Sequence, residues 1–194
     1  MFRSLPFSPS QRATLLGVLV VSSTATLLAL SKSEAADPPR TITTDGIRFD
    51  APADWTSTPP SNPQMRRAQL RINATKGDAK PAELVLFAFP GGVGSLDMNI
   101  ERWANQFKDD DGNSPKPKIE KRKGKNTEVV FVETAGRYVS TIPVPVDEPN
   151  SRLLGAIVET PDAAFYFKLT GPTKTVEAAR AGFEQLIKSI QIDP

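Results

Sequence analysis

Residues 83–89 read Glu-Leu-Val-Leu-Phe-Ala-Phe, a run in which every position after the first is apolar. A strand that is covered on both faces loses the usual alternation of apolar and polar side chains. The run therefore predicts a central strand, which ends at the turn residues Pro90-Gly91-Gly92-Val93-Gly94. The sequence thus predicts a sheet that is buried on both faces, and the flanking segments must cover it.

Two flanking segments have the periodicity of amphipathic helices. The first follows Ser95, a suitable N-cap, and is expected to end at Gly112, with an apolar stripe formed by Leu96, Ile100, Trp103 and Phe107. The second is expected to begin at Gly171-Pro172, with a stripe formed by Val176, Ala179, Phe183, Ile187 and Ile190. One helix on each face would explain why the central strand is apolar throughout.

The other apolar or alternating segments predict further strands. They are residues 47–49, 68–72, 128–133, 137–142, 153–159 and 164–170. Their connections are short, which suits antiparallel pairing. We therefore expect an α+β fold in which a single antiparallel β-sheet is flanked by helices, an α/β/α sandwich.

Four segments resemble the PsbP and Mog-type superfamily, which includes DcrB-like envelope proteins of bacteria. They are Gly46-Ile-Arg-Phe-Asp-Ala-Pro-Ala-Asp-Trp55, Asn99-Ile-Glu-Arg-Trp-Ala-Asn-Gln-Phe107, Phe165-Tyr-Phe-Lys-Leu-Thr-Gly-Pro172 and Leu186-Ile-Lys-Ser-Ile190. The second and third also resemble uncharacterised exported proteins of bacteria. The resemblance implies an antiparallel sheet flanked by helices and no enzyme. Its characterised members are binding or accessory factors, for photosystem II or for a Ran-type GTPase, and the chain has no matching motif for either partner.

Residues 1–35 have the three parts of a secretory signal peptide. Arg3 and Arg12 precede an uncharged, mainly apolar run at residues 13–30, and Ser33-Glu34-Ala35 places small residues at a cleavage site. We expect Sec-type export to the periplasm or cell envelope of a bacterium, with cleavage after Ala35. The alternative is a retained N-terminal anchor, because 18 residues come close to spanning a bilayer. Residues 36–44 would then be a linker, and residues 45–194 a single α+β domain.

Charge and composition exclude several classes of function. The chain has 24 basic and 22 acidic residues, and removal of Arg3, Arg12, Lys32 and Glu34 with the leader leaves 21 of each. The mature part therefore has no basic excess that would favour nucleic-acid binding. The chain contains neither Cys nor His, which excludes disulfides, lipoprotein attachment, thiolate and Ser-His-Asp nucleophiles, and imidazole-ligated metals.

Two motifs typical of cofactor sites are incomplete. The turn Gly91-Gly92-Val93-Gly94-Ser95 lacks the last glycine of a dinucleotide fingerprint and the Gly-Lys-Ser/Thr of a P-loop. Asp109-Asp110-Asp111-Gly112-Asn113 does not fit an EF-hand, because Phe107 and Lys118 would occupy the first and last ligand positions. We therefore assign no cofactor, no metal ligand and no catalytic residue.

Residues 116–125, the basic segment, form the candidate interaction surface. They carry Lys116, Lys118, Lys121, Arg122, Lys123 and Lys125 against Glu120 alone. Such a segment can dock on an envelope protein or another anionic surface, or it can simply be a solvated hairpin around Gly124. It contains no aromatic residue on which single-stranded nucleic acid would stack. A second recognition face is open on the first helix, where the polar residues can equally be solvated or cap the helix: Asn99, Glu101, Arg102 and Gln106.

These observations together predict an exported, non-catalytic binding or accessory domain of the cell envelope, of unknown partner. It would touch the membrane only if the leader is retained, as a membrane-anchored structural protein. The alternative is an enzyme that uses carboxylates or Lys and acts on envelope polysaccharide. No Gly-x-Ser-x-Gly or Ser-x-x-Lys motif for hydrolysis is present.

Overall fold

The computed structural model describes residues 37–140 and 145–193. The leader, its cleavage site and the strand end expected at residues 141–142 lie outside the described residues. Within those residues, no helix is both long and apolar enough to cross a membrane.

Strands dominate the described part of the chain, with 49% of residues in strands and 16% in helices. The strands are β1 (Arg40–Thr44), β2 (Ile47–Ala51), β3 (Thr56–Ser57), β4 (Arg66–Ile72), β5 (Ala82–Pro90), β6 (Phe107–Lys108), β7 (Lys118–Lys123), β8 (Glu128–Ser140), β9 (Val146–Glu159), β10 (Ala163–Pro172) and β11 (Gln191–Ile192). The helices are α1 (Leu96–Ala104), α2 (Thr173–Ala178) and α3 (Arg180–Ser189).

The larger sheet has eight described strands, all of them antiparallel to their neighbours. Its order is β3-β4-β5-β10-β9-β8, and both β6 and β7 pair with β8. The apolar run at residues 83–89 lies in β5, next to β10. The two strands expected at residues 128–133 and 137–142 are one strand, β8, whose register shifts after Gly136. Gly136 is needed there, because a Cβ would lie 2.4 Å from the Lys108 carbonyl oxygen.

The expected single sheet flanked by helices is wrong, because a second sheet is present. β1, β2 and β11 form a three-stranded antiparallel sheet, in which the chain returns after α3 to pair with β2. The alternation at residues 47–51 marks a strand but does not say which sheet receives it. With both edges of β2 paired by β1 and β11, Ile47, Phe49 and Ala51 pack fully buried in the main core. β1 occupies part of residues 36–44, where we expected a linker.

The main core lies between the two sheets and the C-terminal helices. The Phe49 ring meets the Phe167 ring of β10 edge to face, with centroids 5.0 Å apart. Helix α3 buries Phe183, Leu186 and Ile187 in the same cluster. The single C-terminal helix expected from the sequence is divided at Ala179 into α2 and α3.

Helix α1 lies on the opposite face of the large sheet. Ser95 caps it as expected and accepts a hydrogen bond from the Met98 N–H at 3.2 Å. The Trp103 indole rests on Gly155 of β9, where a Cβ would lie 2.3 Å from the ring. A helix of nine residues is short, and clefts remain beside it.

The helix ends earlier than the expected end at Gly112. Its last residue is Ala104, and Phe107, the last position of the apolar stripe, belongs to β6 and pairs with Tyr138. Phe107 is still fully buried. Periodicity alone cannot separate a helical position from a strand position that faces the same core.

Candidate functional site

The basic segment lies mainly in β7, an end strand of the large sheet. β7 forms a hairpin with β8 around Gly124, and no other described strand pairs with it. Its outer backbone N–H and C=O groups therefore form an open strand edge. The exposed basic side chains are those of Lys116, Lys118, Lys121, Lys123 and Lys125.

The structure divides the six predicted residues into two groups. Lys118 and Arg122 bind Glu120, at 2.7 Å and 2.5 Å respectively, and their hydrogen bonds lower the pKa of Glu120. The Arg122 guanidinium also lies 5.0 Å from the Phe131 ring centroid. The four remaining side chains make no ion pair within the described residues: Lys116, Lys121, Lys123 and Lys125.

The acidic run before this segment forms a local turn. The Asp109 carboxylate accepts hydrogen bonds from the N–H groups of Asp111 and Asn113, at 3.1 Å and 2.8 Å. In the described ranges, no group of three or more acidic side chains is placed to hold a metal ion. Asp109 therefore stabilises its own loop.

A second site, which the sequence did not reveal, consists of two adjoining cavities on the α1 face of the large sheet. Their volumes are about 260 Å³ and about 290 Å³. Lys168 of β10 and Phe87 of β5 line both cavities. This pair of side chains therefore forms their common wall.

Lys168 is a half-buried ammonium whose described partners are uncharged. Its Nζ donates a hydrogen bond to Gln106 Oε1 at 2.5 Å and lies 5.4 Å from the Tyr138 ring centroid. Among the described residues, no carboxylate lies within the 4.0 Å of an ion pair. Burial, and then the charges of Arg102 and Arg66, lower the pKa of Lys168 to about 8. A perturbed cation in a cleft is a functional-site candidate on physical grounds.

The smaller cavity has an aromatic wall and a second cation. The rings belong to Phe87, Phe89, Trp103 and Tyr166. The Arg102 guanidinium reaches this cavity from α1 and donates to Asn99 Oδ1 at 2.6 Å. The Asn99 amide in turn donates to the Val93 carbonyl and the Tyr166 hydroxyl, at 2.6 Å and 3.0 Å. Burial raises the pKa of Tyr166.

The larger cavity contains two carboxylates, and each is bound by a cation. Glu83 lies 3.3 Å from Arg66, and Glu148 is paired with Lys80. Thr170 Oγ1 also lines this cavity, is buried and has no hydrogen-bond partner among the described atoms. The paired carboxylates of this cavity thus differ from the free acid and base that glycoside hydrolysis uses.

A third ionic cluster lies on the other face of the sheet, under α2 and α3. The Glu133 side chain is only 13% exposed. It accepts hydrogen bonds from Arg152 of β9 and, at 2.6 Å, from Arg180 of α3. Burial alone would raise the pKa of Glu133, but the two arginines outweigh it and hold the pKa below its ordinary value. Arg180 also binds Glu177 at 2.7 Å, so the cluster joins the sheet to both helices.

The sequence contained partial signals for the Lys168 site. The alternation Tyr166-Phe167-Lys168-Leu169 places Lys168 on the face opposite Phe167, but a lone charge on an alternating strand normally faces solvent. Of the polar residues expected on the first helix, Arg102 and Gln106 line the smaller cavity, although Gln106 lies just beyond the end of α1. Asn99 is buried and is bonded to Arg102 and the Tyr166 hydroxyl, and Glu101 is exposed. The missing information was that α1 packs against Tyr166 of this strand and that Gln106, just after α1, lies beside Lys168.

Comparison with known proteins identifies the fold. No protein-family model and no curated protein matches the chain. The solution structure of cyanobacterial PsbP (CyanoP) from Synechocystis sp. PCC 6803 is similar, with a TM-score of 0.50 and 12% identity over 86% of this chain and 98% of that chain. The fold is PsbP-like. The PsbP-like fold confirms that part of the sequence resemblance, while the DcrB-like assignment and export stay predictions.

A second solved structure aligns with the PsbP-like domain. It is the crystal structure of a protein from Bacteroides thetaiotaomicron VPI-5482, with a TM-score of 0.48 and 13% identity over 81% of this chain. This chain covers 49% of that protein and so spans about half its length.

Proposed function

We propose that this chain is an exported, non-catalytic accessory domain of a bacterial cell envelope, which binds an acidic, extended segment of a protein partner along β7. The observation that carries the proposal is an open strand edge with four unpaired lysines, Lys121 and Lys123 on β7 and Lys116 and Lys125 beside its two ends. The PsbP-like fold supports an accessory role, since the sequence resemblance implies binding or accessory factors rather than enzymes.

The arrangement of β7 favours an extended protein segment over a flat membrane. An added strand can satisfy the open N–H and C=O groups of the edge, which a lipid headgroup layer does less specifically. Ile119, Lys121 and Lys123 alternate along one face, and Ile119 is 51% exposed. A partner strand with one apolar and two acidic side chains on that face would complement all three.

The test uses a synthetic peptide of alternating Val and Glu as the probe. We expect it to bind the protein, and binding to weaken about tenfold or more in the double variant Lys121→Glu/Lys123→Glu and at high salt. The matched control, Lys76→Glu/Lys174→Glu, reverses two exposed lysines outside β7 and should bind as the parent does.

Three results would overturn this proposal. Equal binding by both double variants would remove β7 from the interaction. Binding to phosphatidylglycerol vesicles but not to the peptide would assign the lysines to a lipid surface. Self-association of the Lys121→Glu/Lys123→Glu variant without any loss of peptide binding would mean that the lysines only protect the strand edge.

Export is tested by the N-terminal sequence of the protein recovered from the envelope of its host. A mature protein that starts at Ala36 is expected. A start at Met1 would contradict cleavage and would favour a membrane-anchored structural protein.

A further inference from the structure

The smaller cavity beside α1 holds two cations that no described acidic residue neutralises. Lys168 and Arg102 line it, and none of its described lining residues is acidic. Each cation donates to an uncharged amide, Gln106 for Lys168 and Asn99 for Arg102. The charges of Lys168 and Arg102 also repel each other, which contributes to the lowered pKa of Lys168. An anion placed between them would remove that repulsion and supply the missing counter-charge.

The aromatic residues that line the smaller cavity favour a ligand with a flat, apolar part. The Phe87 and Phe89 rings are nearly parallel, at 7° with centroids 6.4 Å apart. Tyr166 stands edge-on to both Phe89 and Trp103, at 75° and 83°. These rings offer both faces and edges to an inserted aromatic group. The volume of about 260 Å³ lies just below the range of drug-sized pockets, which fits a ligand of one or two rings.

We propose that the cavity lined by Lys168, Arg102 and the rings of Phe87, Phe89, Trp103 and Tyr166 binds a small aromatic carboxylate. The carboxylate lies between the Lys168 ammonium and the Arg102 guanidinium, and the ring system lies against the aromatic wall. This site is on the α1 face of the sheet, three strands away from β7, and it is independent of the docking surface proposed there.

A bare inorganic anion is a poorer match than an organic one. It would satisfy the two cations but leave the aromatic wall in water. A neutral aromatic molecule would cover the wall but leave both cations without a counter-charge. Only a ligand with both parts uses the whole lining, and the arginine fork is suited to a carboxylate.

The test follows the two indole N–H signals in NMR spectra of the protein. Trp103 lines the cavity, whereas Trp55 is buried in the main core on the other side of the sheet. The probes are 2-naphthoate, its neutral analogue 2-naphthamide, and inorganic phosphate. We expect 2-naphthoate to shift the Trp103 signal saturably, with a Kd below about 1 mM, and to leave the Trp55 signal in place. The amide should bind about tenfold more weakly or worse, and phosphate should not saturate.

Two variants test the cations separately. Lys168→Met and Arg102→Gln should each weaken 2-naphthoate binding about tenfold, which corresponds to the loss of one charged hydrogen bond. Arg102 is exposed on the helix, so Arg102→Gln tests the site even if Lys168→Met perturbs the fold. The matched control, Lys76→Met, removes an exposed lysine that lines neither cavity and should bind as the parent does.

Several results would overturn the proposal. One is equal affinity for the acid and the amide, which would leave only an apolar pocket. Another is unchanged 2-naphthoate affinity in Arg102→Gln and Lys168→Met. The third is the absence of any Trp103 shift with 2-naphthoate up to about 10 mM.

Discussion

Two partly buried charges lie on opposite faces of the large sheet, and among the described residues only one of them has an oppositely charged partner. Under α2 and α3, the Glu133 carboxylate is shared by Arg152 and Arg180, and α3 is thereby tied to the sheet. Under α1, the Lys168 ammonium has the Gln106 amide and the Tyr138 ring but no carboxylate among the described residues. The first arrangement stabilises the fold, whereas the second carries an electrostatic cost for which the fold alone offers no reason.

The helices on the two faces of the large sheet are also held in different ways. Arg180 fixes α3 by ion pairs to Glu133 and Glu177. Helix α1 makes no ion pair within the described residues and is held by the burial of Ile100 and Trp103 and by the hydrogen bond from Asn99 to the Tyr166 hydroxyl. The α1 face contains a cation that has no carboxylate partner among the described residues, and it is therefore suited to bind a ligand. The face under α2 and α3 is held by ion pairs and is suited to stabilise the fold.

The largest effect is expected for Glu133, the buried charge that has ion-pair partners. Glu133→Gln leaves Arg152 and Arg180 without their shared carboxylate and should lower the free energy of unfolding by about 3 kcal/mol, measured by urea denaturation near neutral pH. Because the pKa of Glu133 is lowered in the folded state, its stabilisation exists above the ordinary carboxyl pKa and disappears as pH falls through the folded value. The difference between variant and parent should therefore shrink in acid.

The control for this prediction is Glu177→Gln, which removes the half-exposed partner of Arg180. A loss of less than about 1 kcal/mol is expected, as for a surface pair. If the two variants were equally stable, Glu133 would be no more than another surface carboxylate, and the contrast between the two faces would fail.

The next effect tests the packing contact between α1 and the sheet. Gly155→Ala places a methyl group 2.3 Å from the Trp103 ring and should lower the free energy of unfolding by about 2 kcal/mol. In a Trp103→Leu background, the same substitution should cost clearly less, because the ring that it strikes is gone. Additive losses in this double-mutant cycle would show that the cost of Gly155→Ala does not come from a clash with the Trp103 ring.

The sequence predicted this molecule best where a pattern is local. The apolar run in β5, the Ser95 cap and the strand of Phe165 and Phe167 needed only spacing and residue type. The second sheet was missed because the alternation of Ile47 and Phe49 is the same whichever sheet receives the strand. Pairing with β11, which follows 140 residues later, is a property of the chain's return path and not of either strand.

The two candidate sites also differ in how far a local sequence pattern predicts them. Lys116–Lys125 was visible as a charge run, and the structure added that Lys118 and Arg122 are partly neutralised by Glu120. Lys168 was invisible as a site, since a single lysine in an alternating strand is ordinary. What makes it unusual is that its Nζ is bonded to the Gln106 amide and that no described carboxylate lies beside it. Both depend on how α1 and the residues after it pack against the sheet, which no local pattern shows.

A smaller change in the free energy of unfolding, of opposite sign, is expected for Lys168, which has no carboxylate partner among the described residues. Lys168→Met removes an uncompensated half-buried charge and should raise the free energy of unfolding at neutral pH by about 1–2 kcal/mol, after allowance for partial solvent exposure. Urea denaturation without ligand measures it. Lys80→Met is the control, because Lys80 is paired with Glu148 and its loss should be neutral or mildly destabilising. A clearly destabilised Lys168→Met would mean that Lys168 is structural.

The smallest effect is a pH dependence that belongs to Lys168 alone. Its folded pKa is about 8, below the ordinary lysine value of about 10.4, so between these values the unfolded chain holds a proton that the folded protein lacks. Stability must therefore rise with pH across this window. Lys168 is faced by Arg66 and Arg102 as fixed cations and by Tyr138 and Tyr166.

Burial raises the pKa values of both tyrosines, and their stabilisation is lost only above the ordinary tyrosine pKa of about 10. Measurements between about pH 7 and 9.5 thus report on Lys168 with little contribution from them. The free energy of unfolding of the parent should rise over that range relative to Lys168→Met, so that the advantage of the variant diminishes. Parallel curves would mean that Lys168 titrates at its ordinary pKa and that its ammonium is as well compensated as Glu133.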